Sequence, residues 1–503
     1  MNKFTLQSLQ FYRLLFPVIL VFVFGFLLID HSPINTFTYH SWRQTQTYSV
    51  YKCFNDNIGY KYLECFFSQP IGADNNKYFG LEAPILQLLQ SLLFPFQSPE
   101  EITNFFPFLS VFSVLAIIIF SVSHKFDRLN LIFLGLVLAV SFIRSPTVIF
   151  FEHSFQPNFL GLSVILLSFY LALMFDLGAS FSTNIMIGFG CLIYPQFLLI
   201  SLTLPCILNK FKLEKSLNSR EAVIEYIKSA LLILSPVFIY YSLAHIFVNL
   251  GASKVYPHSI NFSPSYLIGN FTNGKFYLSF LDQISLVGIH LFVMMLIPFI
   301  YLIVFVEFDY FLMLPLFAYL STFVLLFPLF LANTYYGVIL ILTLAVIFIS
   351  SMHRISNLKI RYLINPRKSF LIFLLIVACL PYRLLPPRAQ PWSTSYIFNQ
   401  LIEKRMICNP QDAKMLLGSL DLKNKFLSLD CEQYDPTCRT ATEYIGNNET
   451  HNSFFRSHLN LDNNLYLSCY PYSNFNSDIN TWDFANKKSR HIFRKNNWIL
   501  LEF

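Results

Sequence analysis

Residues 14–30 read LLFPVILVFVFGFLLID, an apolar run whose only charge stands at its end. A helix needs about 20 apolar residues to cross the hydrocarbon core of a bilayer. No small-residue cleavage site follows this run, whereas many further apolar runs do, so it is predicted to be a retained span and not a signal peptide. Candidate spans begin near residues 14, 104, 129, 158, 183, 195, 223, 285, 309, 335 and 369. The sequence therefore predicts an all-α polytopic membrane bundle of about eleven transmembrane helices.

Composition and charge placement support this class. The 503 residues are 55% hydrophobic and 13% charged, whereas soluble domains carry about 25% charged residues. Lys and Arg concentrate in the connections at 123–128, 209–220 and 353–368. The positive-inside rule assigns these connections to the cytosol. The first loop, 31–103, and the chain after the last span then lie outside it, as in a multi-pass protein of a bacterial inner membrane.

Cysteine placement agrees with that orientation. Cys53 and Cys65 fall in the first outside loop, and four more fall in the tail, at 408, 431, 438 and 469. Even numbers in both segments suit an oxidising compartment, and Cys53–Cys65 is the simplest pairing. The sequence does not choose among the three pairings of the tail cysteines, and unpaired small residues are the alternative for all of them.

Two domains are predicted. Residues 1–390 form the membrane domain, which includes the outward loop 31–103, and residues 391–503 form a small outward domain of mixed α/β structure. The Pro-rich stretch 381–391 separates them, because proline ends helices and stiffens the chain. In the tail, a helix is predicted near YIFNQLIEKRM and strands near FLSLD and WILLEF.

The first loop is much longer than an ordinary connection, and loops of that length usually carry function. Its stretch HSWRQTQTYSVYKCF, residues 40–54, has helical periodicity, with a polar stripe formed by His40, Arg43, Gln44, Thr47 and Tyr51. LEAPILQLLQSLLFPF, residues 81–96, is a second apolar helix. It is too short to span, so it is predicted to lie flat on the outer membrane surface.

The polar groups of this loop suggest chemistry at the membrane surface. His40, Arg43 and Gln44 form a set of donors suited to phosphate, and the loop also offers the carboxylates Asp30, Asp74 and Glu82. Carboxylates beside lipid are costly unless they are used. The plainer interpretation is a juxtamembrane helix anchored by Trp42 and Arg43, and Asp30 is equally well the end of a span.

Four stretches carry a resemblance to a known family. They are HSWRQTQT, YFGLEAPILQLL, SPTVIFFEHSFQPNFLGLSVILLSFYLALMF and NTYYGVILILTLAVIF, in that order. In order and spacing they resemble the integral-membrane GT-C glycosyltransferases, in the bacterial branch similar to dolichyl-phosphate-mannose-protein mannosyltransferases and aminoarabinose transferases. The resemblance covers about residues 10–390. The chain departs from the family pattern at four positions. Gln46 and Asn158 stand in place of two acids, Thr334 or Asn333 in place of a histidine, and Tyr194, before Pro195, in place of a lysine.

The resemblance implies transfer of a sugar from a polyprenyl-phosphate-linked donor to a glycan, lipid or protein acceptor at the outer face, with inversion. Glu82 is expected to act as base or as ligand of a divalent metal (Mg or Mn), and His40 as proton carrier or second ligand. Asp74 and Asp30 are the reserve carboxylates. The donor phosphate is assigned to Arg43, Gln44, Tyr335 and Tyr336, and the acceptor cavity to Glu152, His153 and Asn158. A tyrosine pair at a span end is alternatively an aromatic belt, and Glu152 and His153 are alternatively helix caps.

Three other functions remain alternatives. A transporter or flippase of lipid-linked sugars would carry ionisable residues at mid-membrane on broken helices in paired halves. An envelope polysaccharide polymerase or ligase would use a later outside loop. A non-catalytic relative would explain the missing acids. No phosphate-binding or dinucleotide-binding glycine motif is present, and the tail interleaves basic with acidic residues, so no nucleic-acid partner is predicted.

Overall fold

The computed structural model describes about half of the chain. The described residues are 41–57, 60–67, 69–70, 77–79, 82–97, 105–123, 137–143, 145–152, 155–212, 219–247, 254–255, 265, 269, 272, 274–305, 310–327, 330, 336–357, 426–430, 451–452, 464–469, 483–484, 487–488, 491–495 and 498–502. The chain divides into two compact units. We call them the helical unit (Met1–Ser32, Asn104–Ser242 and Pro257–Thr394) and the loop-and-tail unit (Pro33–Thr103, Leu243–Tyr256 and Ser395–Phe503).

In the loop-and-tail unit, the first loop folds into three helices and a small sheet. The helices are α1 (Ser41–Asp56), α2 (Tyr60–Phe67) and α3 (Ile85–Leu93), and the strands are β1 (Gln69–Pro70), β2 (Lys77–Phe79) and β3 (Lys254–Val255). Strand β2 pairs antiparallel with β1 and parallel with β3. The predicted helix at 81–96 is thus only nine residues long. Pro84 and Pro95 bracket it, and proline is poorly tolerated inside a helix.

The C-terminal segment contributes strands to the same unit. They are β4 (Phe426–Asp430), β5 (His451–Asn452), β6 (Asn464–Cys469), β7 (Asp483–Phe484), β8 (Lys487–Lys488), β9 (His491–Lys495) and β10 (Trp498–Glu502). Five of them form a sheet in the order β5-β4-β6-β10-β9, and β7 pairs with β8. The two strands predicted from FLSLD and WILLEF are confirmed as β4 and β10. The predicted helix at 396–406 lies outside the described residues.

Helix α1 is confirmed, and its second half is buried. Thr47 and Tyr51, expected in a polar stripe, are 2% and 1% exposed, and the apolar Val50 and Phe54 are equally buried. These four positions lie within one broad helical face at i, i+3, i+4 and i+7. Helix α1 packs through this region against α3. Thr47 and Tyr51 are therefore buried between helices and do not form part of a polar surface.

A disulfide joins α1 to α2. Cys53 and Cys65 are bonded, with their Cα atoms 5.8 Å apart, which confirms the pairing predicted from the sequence. Cys65 is buried beside Val50 and Phe54, and Leu88 of α3 packs against the same cluster. The bond therefore ties the three helices of the first loop at one point.

Replacing both cysteines by serine should destabilise the loop-and-tail unit. Closing a loop of this size contributes about 3 kcal/mol through the unfolded chain, so we expect the Cys53→Ser/Cys65→Ser protein to unfold at a lower temperature. Reductant should lower the unfolding temperature of the parent by more than that of the double variant, which keeps the four tail cysteines. Cys206→Ser, which removes an unpaired and half-buried thiol, is the control. An unfolding temperature of the parent that does not respond to reductant would contradict the assignment.

The helical unit is built from α4 (Phe105–Ser123), α5 (Pro146–Glu152), α6 (Asn158–Met174), α7 (Phe181–Ile193), α8 (Leu198–Ser201), α9 (Leu204–Lys212), α10 (Ser219–Phe247), α11 (Gly274–Val287), α12 (Ile289–Phe305), α13 (Leu314–Leu325) and α14 (Gly337–Asn357). The last turn of α10 belongs to the loop-and-tail unit. Short 3₁₀ turns at Pro195–Phe197 and Tyr310–Met313 precede α8 and α13. The predicted break at Pro195 is confirmed. Helix α14 lies at the centre of the unit, since most of its side chains are buried.

Membrane-crossing helices are present among the described residues. Arg220–Ile246 and Gly337–Ile355 are long and apolar enough to span a bilayer, as predicted for the spans starting near 223 and 335. A bent pair, Phe276–Val287 and Ile289–Val304, would be a third span, and five shorter apolar helices accompany them. By length and hydropathy, the described residues thus contain two candidate spans, or three if the bent pair is counted as one. The predicted first and last spans, near 14 and 369, lie outside the described residues.

Glycines allow three helices to approach closely. A Cβ added to Gly188 of α7 would lie 2.5 Å from the carbonyl oxygen of Ile233 in α10. One added to Gly190 would lie 2.4 Å from a side-chain carbon of Ile165 in α6. Small residues at such crossings let backbones pack tightly in membrane proteins. The α6–α7–α10 arrangement therefore depends on these two positions.

Gly188→Ala should weaken this crossing. The nearest atom to the new methyl group belongs to a backbone that cannot swing aside, so a loss of about 1–3 kcal/mol in the free energy of unfolding is expected. Thermal unfolding of the purified protein in detergent measures it. Gly269→Ala is the matched control, because no atom lies within 4 Å of its added Cβ. Equal unfolding temperatures for the two variants would show that the crossing is not close.

Candidate functional site

Glu82 is a buried carboxylate at the start of α3. Its side chain is 6% exposed, and the following Ala83 is fully buried. A carboxylate this deep is tolerated only when it is paired or hydrogen-bonded, and Glu82 does have an interaction in the structure. The helix that follows has Pro84 at its N-cap and no side-chain cap. Glu82 thus meets the dipole end at which negative charge is favourable.

Helix α3 is fixed at its other end by two tyrosines of α1. The hydroxyl group of Tyr51 donates to the carbonyl of Phe94 at 2.7 Å and accepts from the backbone N–H of Gln97 at 2.9 Å. The hydroxyl group of Tyr48 donates to the carbonyl of Gln97 at 3.3 Å. These bonds hold α3 against α1, so the helix that presents Glu82 is anchored to the helix that carries Arg43 and Gln44.

The buried face of α3 is polar. Gln87 is 2% exposed and Gln90 is fully buried, and the side-chain oxygen of Gln87 lacks a hydrogen-bond partner. The amide nitrogen of Gln90 donates to the side-chain oxygen of Gln97 at 2.7 Å. Gln87 and Gln90 are three residues apart and therefore lie on one face of α3, and that face is buried.

Most other predicted residues of this loop lie outside the description. His40, Asp30 and Asp74 fall among the residues that are not described, and so do the side chains of Arg43 and Gln44 on α1. Their roles remain predictions. What the structure places is the helix bearing Arg43 and Gln44, packed in one unit with the helix that follows Glu82.

A second buried polar group stands at the N-terminus of α6 in the helical unit. Asn158, the first residue of α6, is 1% exposed, and neither its amide nitrogen nor its amide oxygen has a hydrogen-bond partner. Gln156, two residues earlier, is 2% exposed and is unpartnered at both atoms as well. Pro157 between them is the N-cap and supplies no side-chain bond. Two free amides therefore lie at the end of a helix whose first N–H groups are also unpaired.

The surroundings of this pair are aromatic. Phe159 packs on Phe151 of α5 and on Phe142, with ring centroids 5.2 and 6.4 Å apart. Helix α5 ends at Glu152, whose side chain lies outside the description, and His153 lies outside it entirely. Sequence reasoning selected Asn158 but missed Gln156. The sequence feature that could have identified Gln156 is an amide side chain next to the Pro-Asn pair within an apolar stretch.

A third group of buried polar side chains lies where α5, α11 and α14 meet. The hydroxyl group of Thr147 donates to the carbonyl of Leu286 at 2.9 Å. A Cβ added to Gly337 would lie 2.7 Å from that hydroxyl oxygen and 3.7 Å from the side-chain oxygen of Gln283. That oxygen is buried and has no hydrogen-bond partner. The sequence does not identify Gln283 as a candidate, because a single glutamine in a helix forms no motif that indicates a function.

Tyr336 precedes this point in the chain. It is 3% exposed, and its ring centroid lies 5.0 Å from that of Phe330. The ring is thus packed inside the helical unit, and a contact between Tyr336 and a donor phosphate remains a prediction. Tyr335 lies outside the described residues.

Two solved structures are similar to this chain. They are crystal structures of ArnT from Cupriavidus metallidurans, one bound to undecaprenyl phosphate and one in the apo state. Each covers 97% of both chains at 12% sequence identity, with TM-scores of 0.46 and 0.45. No family model and no curated protein matches the chain.

A divalent metal at Glu82 and His40 remains a prediction. Within the described part of the chain, no group of three or more His, Cys, Asp or Glu side chains is placed to hold an ion. Mg²⁺ bound by protein usually keeps several waters and uses one or two carboxylates. A single buried carboxylate therefore does not by itself select a metal, and the mechanism below assigns no step to one.

Proposed function

We propose that the protein is an integral-membrane glycosyltransferase that moves a sugar from a polyprenyl-phosphate-linked donor to a glycan, glycolipid or protein acceptor at the outer face. The observation that supports this most is the buried Glu82 at the start of α3, in the same compact unit as the helix carrying Arg43 and Gln44. The motifs that resemble the GT-C family therefore supply both the carboxylate and the hydrogen-bond donors that could bind a phosphate.

The proposed chemistry needs one base and a cradle for the leaving phosphate. A side-chain oxygen of Glu82 takes the proton of the acceptor hydroxyl as its oxygen attacks the anomeric carbon. The bond from that carbon to the phosphate oxygen breaks, and the electron pair leaves with the polyprenyl phosphate. Attack opposite to the leaving group inverts the anomeric centre. Arg43 and Gln44 would hold the phosphate charge as it develops.

The location follows from the substrate. A polyprenyl chain stays in the bilayer, so the reacting phosphate lies at headgroup depth. The Cys53–Cys65 disulfide supports a loop outside the cytosol, because disulfides persist in oxidising compartments and are rare in the cytosol. A bacterial inner membrane suits a donor of this class. The unpaired amides of Gln156 and Asn158 would bind hydroxyl groups of the acceptor.

Mass spectrometry of lipid-linked and envelope glycans tests the proposal. A host lacking this protein should accumulate the polyprenyl-phosphate sugar and lose one sugar from an envelope product. Purified protein in liposomes should release polyprenyl phosphate only when donor and acceptor are both present. Unchanged glycans in the deletion host, together with no release of polyprenyl phosphate in liposomes, would refute the proposal.

A flippase for lipid-linked sugars is a second candidate, and one feature favours it. Helices α11 and α12 bend by 93° at a single break, where Gly288 has a φ of +89°, and broken helices commonly form substrate sites in transporters. The buried Gln283 lies on α11 just before that bend. The liposome assay separates the two functions, because a flippase would move the donor between leaflets and would release no polyprenyl phosphate when donor and acceptor are both present.

A further inference from the structure

The C-terminal end of α3 exposes a group of large apolar side chains. Leu92 is 62% exposed, Leu93 61% and Phe96 79%, and Pro95 is exposed between them. We call these four residues the apolar tip. The segment 85–97 contains no charged residue. An exposed patch of this kind in one turn marks an interaction surface more often than chance exposure does.

The buried and exposed faces of α3 are the reverse of those expected for a helix on the surface of a soluble protein. Its buried face carries Gln87, Gln90 and Ser91 together with Leu86, whereas its exposed end is apolar. A helix in contact with water would place amides outside and leucines inside. This helix keeps its amides away from the surroundings and presents leucine and phenylalanine to them.

The backbone on either side of Pro95 and Phe96 is hydrogen-bonded. The carbonyl of Phe94 and both backbone groups of Gln97 bond to hydroxyl groups of Tyr48 and Tyr51, and the N–H of Phe94 bonds to the carbonyl of Gln90 at 2.8 Å. In water these groups could bond to solvent at little cost. In hydrocarbon each unpaired backbone group costs several kcal/mol, so such pairing is a requirement there.

Phe96 completes the tip through an unusual backbone conformation. Its φ is +58°, in the left-handed region that non-glycine residues rarely occupy. The fixed bonds on either side of it, at Phe94 and Gln97, hold the turn. Among the aromatic side chains of this loop that the structure describes, that of Phe96 is the most exposed, at 79%.

The same unit already contains a surface that faces lipid. Its segment Leu243–Tyr256 includes the last turn of α10, and α10 supplies the candidate span Arg220–Ile246, of which only 11% is buried by protein. On that last turn, Leu243 and Ile246 are 41% and 56% exposed. The candidate span Arg220–Ile246, if it crosses the bilayer, brings this unit to a membrane surface.

We propose that the apolar tip inserts into the acyl-chain region of the bilayer and anchors the first loop there, with the hydroxyl groups of Tyr48 and Tyr51 pairing the backbone that enters the lipid. The sequence predicted that this segment lies flat on the membrane. The structure assigns insertion to one end of it. The inference concerns lipid contact only and does not depend on the proposed sugar transfer.

Tryptophan scanning in brominated lipid tests the insertion. Phe96→Trp and Leu93→Trp proteins of full length are placed in phosphatidylcholine liposomes with and without dibrominated acyl chains, and the emission of the parent with its four tryptophans is subtracted. Lys52→Trp, on the exposed side of α1 in the same unit, is the control. A side chain at the acyl boundary, some 5–10 Å deep, should be quenched about twofold or more relative to the control.

Equal quenching at all three positions would overturn the proposal. So would blue-shifted emission from positions 93 and 96 without quenching, because a second copy or another protein would then cover the tip. The unaltered protein supplies a second measurement. Phosphatidylcholine with a photoreactive group in its acyl chain should form adducts in the peptide 85–97. Adducts found in 219–247 and absent from 85–97 would refute insertion even if the tryptophan variants fail to fold.

Discussion

Glu82→Gln should reduce sugar transfer by about 100-fold or more, because a positioned general base contributes about 10²–10⁴-fold to rate. Glutamine keeps the shape and the burial of the side chain, which is 6% exposed, and removes its negative charge and its capacity to accept a proton. The protein should therefore fold and accumulate in membranes as the parent does. Release of polyprenyl phosphate in liposomes and the mass of the envelope product measure the loss.

Glu64→Gln is the matched control. Glu64 lies on α2 in the same unit and is half-buried, so its replacement removes one carboxylate from the unit without touching α3. It should retain transfer close to that of the parent. If Glu82→Gln retains activity within a few-fold of Glu64→Gln, the base is a different group. Asp74 and Asp30 are then the next carboxylates to replace.

The pH profile gives a second measurement of the same role. A base must be ionised to accept the proton, so kcat/KM of the parent should rise with pH through the pKa of the free enzyme's base. The Glu82→Gln protein should lack that rise in its residual activity. A purely structural carboxylate would leave the shape of the profile unchanged and would alter only the amount of folded protein.

The sequence predicted those parts of the fold that repeat or that depend on local chemistry. The spans Arg220–Ile246 and Gly337–Ile355 follow from apolar length. The strand Phe426–Asp430 follows from its composition and alternation, and the Cys53–Cys65 bond from simple counting of cysteines. Each of these signals is carried by neighbouring residues, which a single sequence contains in full.

What the sequence missed depends on tertiary contacts. Hydropathy predicts a span that begins near residue 285, whereas a helix already runs from Gly274 to Val287 and the chain bends by 93° at Gly288. One glycine changes the direction of the chain without changing its average hydropathy. Thr47 and Tyr51 were assigned to a polar stripe, and the packing of α3 against α1 decides that they are buried. In the same way, no local pattern distinguishes the unpaired amide of Gln156 from a solvated one.

Replacing Asn158, whose side-chain amide is unpaired, is expected to have a large effect on both stability and sugar transfer. Asn158→Leu removes a donor and an acceptor that have no partner and replaces them with an apolar side chain of similar size. A buried unsatisfied polar group costs about 1–3 kcal/mol, so the variant should be more stable than the parent. If the amide binds substrate, the same change should abolish or strongly reduce sugar transfer.

Asn184→Leu is the control for stability. Asn184 is fully buried as well, and its amide oxygen also lacks a hydrogen-bond partner, but its amide nitrogen donates to the carbonyl of Ala179 at 3.0 Å. Its replacement leaves that carbonyl without its bond, so the unfolding temperature should fall. The two variants remove the same group from similar depth in the same unit, and they are expected to shift stability in opposite directions.

Higher stability together with lost transfer is the result that distinguishes a functional amide from a structural one. Proteins retain destabilising polar groups where function requires them, and the gain on removal measures the stability given up for that function. An Asn158→Leu protein that is less stable would show that the amide has a structural partner. One that is more stable and fully active would show that no substrate binds at the N-terminus of α6.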